Sequence, residues 1–432
     1  MDAGLVAVLG FVALFALMLL RMPIGLAMGA VGVVGFGVIN GFGPALRLLA
    51  QSPIRTATDA GFAVIPLFLL MGAIATVSGM STELFRAANS FLGRFRGGLG
   101  MATIAACAGF AAVSGSSVAT AATFSAVAYP EMRRYRYPQS FATGVIAAGG
   151  TLGAILPPSL VLAVYSLITQ QDVGRLYIAG IVPGILAVIM YITTITLIGL
   201  VRPTFLPPGV RHDWSERWQA VRGVWAITLL FLFIIGGMYG GVFTPTEAAG
   251  MGASGAFIIA MLRRRLTAAQ LMECLLRALR TSAAIFSILI GALLFGYFLT
   301  VTQTPQHVTS FLTGLGFGRY GVLLLIMLMY LVLGCVMDAM AMVILTIPII
   351  FPVITALGFD PVWFGVIIVM TVELGLIHPP VGMNVFVIKS VVRDVNMSTI
   401  FLGVIPFVIT DIVRLAILIA FPILSTYLPN HM

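Results

Sequence analysis

The chain has 432 residues, of which 60% are hydrophobic and only 9% are charged. Soluble domains carry roughly 25% charged residues, so this composition indicates a protein embedded in a lipid bilayer. The net charge of +9 does not indicate nucleic-acid binding, because the arginines cluster in short loops between apolar segments, as the positive-inside rule describes. The cysteines Cys107, Cys274 and Cys335 lack metal-like spacing, which argues against a zinc site or a disulfide framework.

Apolar segments long enough to cross a bilayer, at about 20 residues each, follow one another along the chain. The predicted spans are 3–20, 22–40, 61–79, 140–168, 177–200, 223–242, 245–262, 281–301, 360–388 and 400–424. Two further apolar segments, 99–132 and 321–356, are interrupted by small, polar and proline residues. We expect each of these to form a re-entrant helical hairpin, because backbone freed from a helix must line a cavity or be buried in protein.

Two motifs occur twice at one constant spacing. The motif at 114–130 matches the one at 336–352, and LGAILPPS at 152–159 returns as LGLIHPPV at 374–381, each 222 positions later. Paired interruptions in two halves of a membrane protein are typical of a transporter's central binding site.

The arginine distribution predicts the orientation of the chain. If the clusters at 94–96, 133–136 and 263–265 are cytoplasmic, counting the spans places the amino terminus in the periplasm. The first hairpin then enters from the cytoplasm and the second, with charge-poor flanks, from the periplasm. We therefore predict an all-α polytopic protein with an inverted-topology repeat. Its predicted parts are a first half at 1–201, a cytoplasmic link at 202–222 and a second half at 223–432.

Some polar segments lie outside the predicted site. Residues 264–280 have the pattern of an interfacial amphipathic helix, and residues 44–58 are its expected counterpart on the outer side. Asp411 and Arg414 have the spacing of an ion pair within one helix.

The first interrupted motif offers oxygen ligands for a hard cation. Residues 114–117 read Ser-Gly-Ser-Ser, and an unwound turn there would present hydroxyls together with backbone carbonyls. Pro157 and Pro158 cannot donate backbone hydrogen bonds, which frees carbonyls near Gly153. The alternative is that the serine hydroxyls bond back to their own helix.

Asp338 occupies the position of Ser116 in the second copy. An ionisable residue within a membrane is a functional hypothesis by default, as a sodium ligand or a proton relay. The alternative is a carboxyl hydrogen-bonded within the turn. Glu373, which aligns with Thr151, shares this argument, and His378 is either a titrating group or a structural hydrogen-bonding residue.

Four motifs now make a resemblance specific: the Ser-Gly-Ser-Ser turn, GTLGAILPPS, FTPTEAA and LGLIHPPVGMN. Together they resemble the large membrane subunit of a tripartite ATP-independent periplasmic (TRAP) transporter. The resemblance implies sodium-driven uptake of small organic acids across a bacterial inner membrane, through an elevator-type transport domain held in a scaffold. It also implies two partners, a small membrane subunit and a periplasmic substrate-binding protein.

The same resemblance implies site residues. Two sodium sites are expected, the first at Ser114, Ser117, Gly153 and Pro158 and the second at Gly334, Gly375 and His378. The predicted substrate-binding residues are Ser116, Thr151, Asp338 and Asn384. Many relatives have threonine where this chain has His378, so backbone carbonyls or the imidazole would replace a hydroxyl ligand there.

Two other classes of function compete with this prediction. A self-sufficient sodium- or proton-coupled carrier of the same superfamily would transport without partners. An intramembrane hydrolase with Ser116 as nucleophile is disfavoured because the first hairpin contains no histidine. The substrate is left open between a dicarboxylate, a sugar acid and a keto acid. Since no arginine or lysine lies within an interrupted span, we expect helix dipoles, hydroxyls or sodium ions to meet its carboxylate.

Overall fold

The computed structural model describes residues 3–210, 213–335 and 337–431, and Val336 of the second interrupted motif lies outside them. Every regular element in this part is helical, which confirms the all-α prediction. The α-helices are α1 (Ala3–Leu19), α2 (Ile24–Asn40), α3 (Phe42–Thr58), α4 (Val64–Val77), α5 (Met80–Leu92), α6 (Gly98–Ser114), α7 (Ser117–Arg134), α8 (Gln139–Ile155), α9 (Leu160–Thr169), α10 (Val173–Val201), α11 (Trp214–Tyr239), α12 (Pro245–Leu262), α13 (Ala268–Val301), α14 (Thr304–Gly314), α15 (Gly318–Gly334), α16 (Ala339–Ala356), α17 (Pro361–Ile377), α18 (Met383–Val391), α19 (Met397–Ala420) and α20 (Ile423–Thr426). Two short 3₁₀-helices lie at Ala60–Ala63 and Pro429–His431.

Seven helical segments of the described chain are long and apolar enough to cross a membrane, and the bent pair α14–α15 passes the same test when taken together. Four further apolar helices are shorter, including α1 and α2. Each predicted span and hairpin corresponds to a helix or a helix pair. Most bounds agree within a few residues, but α11 begins nine residues and α13 thirteen residues before the predicted spans at 223–242 and 281–301.

One predicted helix is not a separate element. Residues 264–280 were expected to form a separate helix at the interface. Residues 268–280 instead run without a break into the following span as α13, whose 34 residues extend about 50 Å. No glycine or proline occurs in α13 before Gly291, so nothing interrupts its hydrogen bonds there. In the first half, α3 ends at Thr58 and Asp59 accepts a hydrogen bond from the Gly61 amide at 2.9 Å, which starts a new turn.

The bounds of the helices repeat with the sequence motifs. Helix α7 at 117–134 corresponds to α16 at 339–356, and α8 at 139–155 corresponds to α17 at 361–377, so both ends of each pair keep the offset of the sequence repeat. A Pro-Pro step follows α8 and α17 alike, and α9 and α18 continue beyond it. The chain therefore contains two broken helices, α8–α9 and α17–α18, each preceded by a helical hairpin.

The two hairpins, α6–α7 and α15–α16, have their open ends at opposite sides of the molecule. Helix α17 begins at Pro361, just beyond the second hairpin, where the Pro361 carbonyl accepts a hydrogen bond from Tyr165 at 2.7 Å. Its continuation α18 ends next to Asp394, whose carboxylate lies 2.6 Å from Arg133 at the open end of the first hairpin. One broken helix thus runs from the base of one hairpin to the base of the other, as an inverted repeat requires.

Helices from the two halves pack together through glycine. A Cβ on Gly291 of α13 would lie 2.0 Å from the carbonyl oxygen of Gly25 in α2. A Cβ on Gly144 of α8 would lie 2.1 Å from the carbonyl oxygen of Gly403 in α19. Small residues permit such backbone contact between membrane helices. The two halves of the sequence therefore pack closely against each other at these helix pairs.

Candidate functional site

The first hairpin turns at Gly115, between the last residue of α6 and the start of α7. Gly115 has φ of 60°, the left-handed conformation that glycine adopts without a steric penalty. Ser116 is extended and caps α7, its Oγ accepting a hydrogen bond from the Ala119 amide at 3.3 Å. Ser114 Oγ lies 2.9 Å from Thr120 Oγ1. Part of the expected back-bonding of these serines is therefore present, and the turn holds its oxygens in fixed positions.

The first broken helix fits directly against this turn. A Cβ on Gly153 would lie 2.5 Å from the Ser116 carbonyl oxygen, and one on Gly115 would lie 2.4 Å from the Pro158 carbonyl oxygen. The Leu160 amide, just beyond the break, donates a hydrogen bond to the Gly115 carbonyl at 3.2 Å. The four residues predicted for the first sodium site thus surround a single turn.

The second hairpin has the same construction. Asp338 caps α16, where Oδ2 accepts hydrogen bonds from the amides of Met340 at 3.2 Å and Ala341 at 3.4 Å. A Cβ on Gly334 would lie 2.7 Å from the Gly375 α-carbon. The half-buried ring of His378 contacts the carbonyl of Pro379. Gly334, Gly375 and His378, predicted for the second sodium site, are neighbours at this tip.

A cavity of about 520 Å³ separates the two tips from α4 and α13. The tips contribute its polar wall, and mostly apolar residues of α4 and α13 face them. The polar and charged side chains in the described lining are Thr76, Ser114, Ser116, Ser117, Arg277, Thr281 and Asp338.

Ser116 and Asp338, two predicted substrate-binding residues, therefore meet at one cavity. Thr151 and Asn384 lie outside its described lining. The Thr151 hydroxyl donates to the Ala148 carbonyl at 2.7 Å and lies 3.2 Å from the hydroxyl of Tyr191. Asn384 is fully buried, and its side-chain amide has no hydrogen-bond partner in the described part of the chain. A role for these two in binding substrate stays a prediction.

Arg277 is a lining residue that sequence reasoning missed. It lies on α13, in the segment expected to be a surface helix, and is the only cation among the described lining residues. The absence of glycine and proline between residues 268 and 290 was the available signal, because an unbroken helix carries this arginine into the wall of the protein.

A second polar cluster lies buried behind the first tip. Asp411 and Arg414 form the expected pair within α19 at 2.8 Å, and the Tyr191 hydroxyl lies 2.7 Å from Asp411 Oδ1. Glu373 is 2% exposed, and neither of its carboxyl oxygens has a hydrogen-bond partner among the described residues. It lies within electrostatic reach of Ser117, Asp411 and Arg414. Glu373 is therefore a second buried carboxyl group near this pair, and in the described part of the chain Arg414 forms its ion pair with Asp411 alone.

Helical hairpins whose tips meet broken helices around a central cavity define a membrane transporter fold. The solved structure of the Alcanivorax borkumensis YdaH transporter has this kind of fold: it matches with a TM-score of 0.60 at 12% identity and covers 88% of this chain and 89% of its own. At that identity the likeness concerns the fold alone.

Sequence comparison narrows the class to a family. Residues 11–424 match the family model of the tripartite ATP-independent periplasmic transporter, DctM component. The C4-dicarboxylate TRAP transporter large permease protein DctM of Pseudomonas aeruginosa is 36% identical over 93% of this chain and 94% of its own. The sialic acid TRAP transporter large permease protein SiaM of Vibrio cholerae is 30% identical over 95% of each chain. The chain belongs to the DctM family of TRAP transporter large permeases and is a transporter subunit, not an enzyme.

Proposed function

We propose that this chain is the large permease of a sodium-coupled transporter that imports small carboxylates, with C4-dicarboxylates as the first candidates. The observation that carries the proposal is the cavity between the hairpin tips and the helices α4 and α13, which Ser116, Asp338 and Arg277 all line. An anionic substrate meets a guanidinium there, together with hydroxyls and the amino-terminal ends of α7 and α16. The similarity to C4-dicarboxylate permeases supports the choice of substrate.

Sodium coupling is supported by the ligand types at both tips. At the first tip the Ser114 hydroxyl lies 2.9 Å from that of Thr120. The Ser116 carbonyl packs against Gly153, and the Pro158 carbonyl packs against Gly115. Unwound backbone carbonyls at broken helices are the usual sodium ligands in secondary transporters. Ser114, Ser117, Gly153 and Pro158 would hold one ion, and Gly334, Gly375 and His378 another. A bound ion would supply positive charge near the substrate.

An elevator mechanism is supported by the position of the cavity. One wall consists of the hairpin tips, and the other consists of α4 and α13. Helices α2 and α13 pack closely through glycine, as do α8 and α19, so each wall is backed by a tightly packed helix pair. Movement of the hairpin group along α4 and α13 would carry the cavity from one side of the membrane to the other.

The proposed assembly lies in the bacterial inner membrane with the amino terminus in the periplasm. Its proposed partners are a small membrane subunit and a periplasmic substrate-binding protein, as the name of the family implies. Exposed apolar residues of α1, including Val8 at 60% and Val12 at 61%, suit contact with lipid or with the small subunit.

Reconstitution tests the proposal. The permease in proteoliposomes, given an inward sodium gradient and labelled succinate, is expected to show negligible uptake alone and robust uptake once both partners are present. Omission of either partner, or replacement of sodium by potassium, provides the matched control. Uptake by the isolated permease would establish a self-sufficient carrier instead, and uptake independent of sodium would refute the coupling.

A further inference from the structure

Arg277 is placed to bind an anion in the cavity. Its side chain is 58% exposed, and its partner is Glu273 on the same helix at 3.4 Å. An exposed pair within one helix contributes at most about 0.5 kcal/mol, so a substrate carboxylate displaces Glu273 at little cost. The planar guanidinium also matches a carboxylate in a bidentate arrangement, which a lysine ammonium does not.

The repeat gives Arg277 a counterpart in the first half. Residue 55 precedes residue 277 by 222 positions, the spacing of the whole repeat, and it too is an arginine. Arg55 lies in the last turn of α3, whose range 42–58 corresponds to 264–280, and α13 begins within that range at Ala268. The two arginines therefore occupy equivalent positions in the repeat, although α3 ends at Thr58 and α13 continues into a membrane span.

Arg277 and the contact that Arg55 makes with α13 lie twenty residues apart along that helix. Arg55 Nη1 is 3.5 Å from the hydroxyl of Tyr297, and Tyr297 lies on the same helix as Arg277, twenty positions further along. Twenty helical residues extend about 30 Å, which is the thickness of the hydrocarbon core of a bilayer. Arg277 lies in the half of α13 that begins near the ion pair of Arg265 and Glu83, in the part of the chain predicted to be cytoplasmic. Arg55 marks the other side.

An inverted repeat relates the two access states of a transporter. When the halves exchange conformations, contacts made by the second half in one state are made by the first half in the other. The cavity meets Arg277 in this structure. If the two halves exchanged their conformations, the cavity would be lined by Arg55 in place of Arg277.

We propose that Arg277 and Arg55 are paired carboxylate-binding residues, each serving one access state. Arg55 receives the anion on the periplasmic side, and Arg277 holds it before release into the cytoplasm. This inference rests on the proposed function of the chain as a carboxylate transporter with alternating access.

The test uses the complete three-component transporter in proteoliposomes with labelled succinate. Binding protein is added only outside the vesicles, so that only permeases with their periplasmic face outward take part. The external succinate concentration for half-maximal uptake is measured first. The lumenal succinate concentration for half-maximal exchange against external succinate is measured separately. Arg55→Gln is expected to raise the external value roughly tenfold and leave the lumenal value unchanged, as loss of a charged hydrogen bond implies. Arg277→Gln should do the reverse.

Matched variants control for loss of charge. Arg47→Gln on α3 and Arg280→Gln on α13 remove exposed arginines from the same helices, and Arg280 is not part of the described lining. Both are expected to leave both values unchanged, while Arg277→Lys should recover only part of the lumenal affinity. The inference is overturned if Arg55→Gln and Arg277→Gln leave both half-saturation values unchanged, as the controls do, or raise both values equally. In either case sodium-dependent uptake by the wild type would still uphold the proposed function. Absence of sodium-dependent uptake by the wild type would overturn the function itself and the inference with it.

Discussion

Arg133, at the open end of the first hairpin, lies 2.6 Å from Asp394, beyond the end of the second broken helix. Their side chains are 64% and 41% exposed, so this ion pair contributes little to stability. The ion pair does report topology. It places the base of the first hairpin beside the end of the second broken helix, and that helix begins at the base of the second hairpin.

The opposite placement of the two hairpin bases predicts a labelling pattern. Arg134→Cys and Thr355→Cys occupy exposed positions at the ends of α7 and α16. In a Cys335→Ser background, we expect an impermeant thiol reagent to label Thr355→Cys in intact spheroplasts and Arg134→Cys only after the membrane is opened. Labelling of both from one side would contradict the inverted arrangement.

Removal of the first-tip hydroxyls should weaken sodium binding. Ser114→Ala and Ser117→Ala each remove one candidate oxygen ligand, and we expect the sodium concentration for half-maximal uptake to rise about tenfold in each. Ser125→Ala is the matched control, because that buried hydroxyl of α7 donates to the Ala121 carbonyl of its own helix, at 2.7 Å. The assignment is wrong if the sodium dependence of all three variants equals that of the wild type.

The glycine contacts at the two breaks predict intolerance of a methyl group. Gly153→Ala places a Cβ 2.5 Å from the Ser116 carbonyl oxygen, and Gly375→Ala places one 3.0 Å from the Gly334 α-carbon. We expect Gly153→Ala to destabilise the protein by about 1–3 kcal/mol and to abolish uptake, with a smaller loss for Gly375→Ala. Thermal unfolding in detergent measures the change.

Gly296→Ala is the control for these substitutions, since a Cβ at that position of α13 meets open space. Its stability should be unchanged or higher by about 0.4–1 kcal/mol, because alanine restricts the unfolded chain. Equal unfolding temperatures for the three variants would show that the tips and breaks do not depend on close contact.

The buried charge cluster predicts unequal effects of two isosteric changes. Asp411→Asn removes the carboxylate paired with Arg414, and leaving that guanidinium unpaired should cost about 3 kcal/mol. Glu373→Gln replaces a buried carboxyl without a hydrogen-bond partner among the described residues by an amide of the same shape, so we expect a loss of about 1 kcal/mol or less. Chemical unfolding of both variants in detergent measures the difference, and a larger loss in Glu373→Gln would contradict this account.

Local sequence patterns predicted the helices and the turns of both hairpins. The length and polarity of each apolar segment determine its helix, and proline and glycine determine where backbone hydrogen bonds end. The same reasoning predicted a separate interfacial helix at 264–280, whereas residues 268–280 belong to the long helix α13. An amphipathic pattern reports that one face meets a different environment, and it does not distinguish a lipid surface from the wall of a cavity.

The amino-acid sequence alone determined that this chain is an all-α membrane protein with two repeated halves and two oxygen-rich interruptions at a constant offset. Only the tertiary structure decided that Arg277 lines the cavity, and that Tyr191 bonds to both Thr151 and Asp411. Apolar periodicity and helix breaks are encoded within a few residues, whereas these contacts join helices far apart in the chain. They depend on how glycine-lined helices approach one another, and that packing is a property of the whole fold.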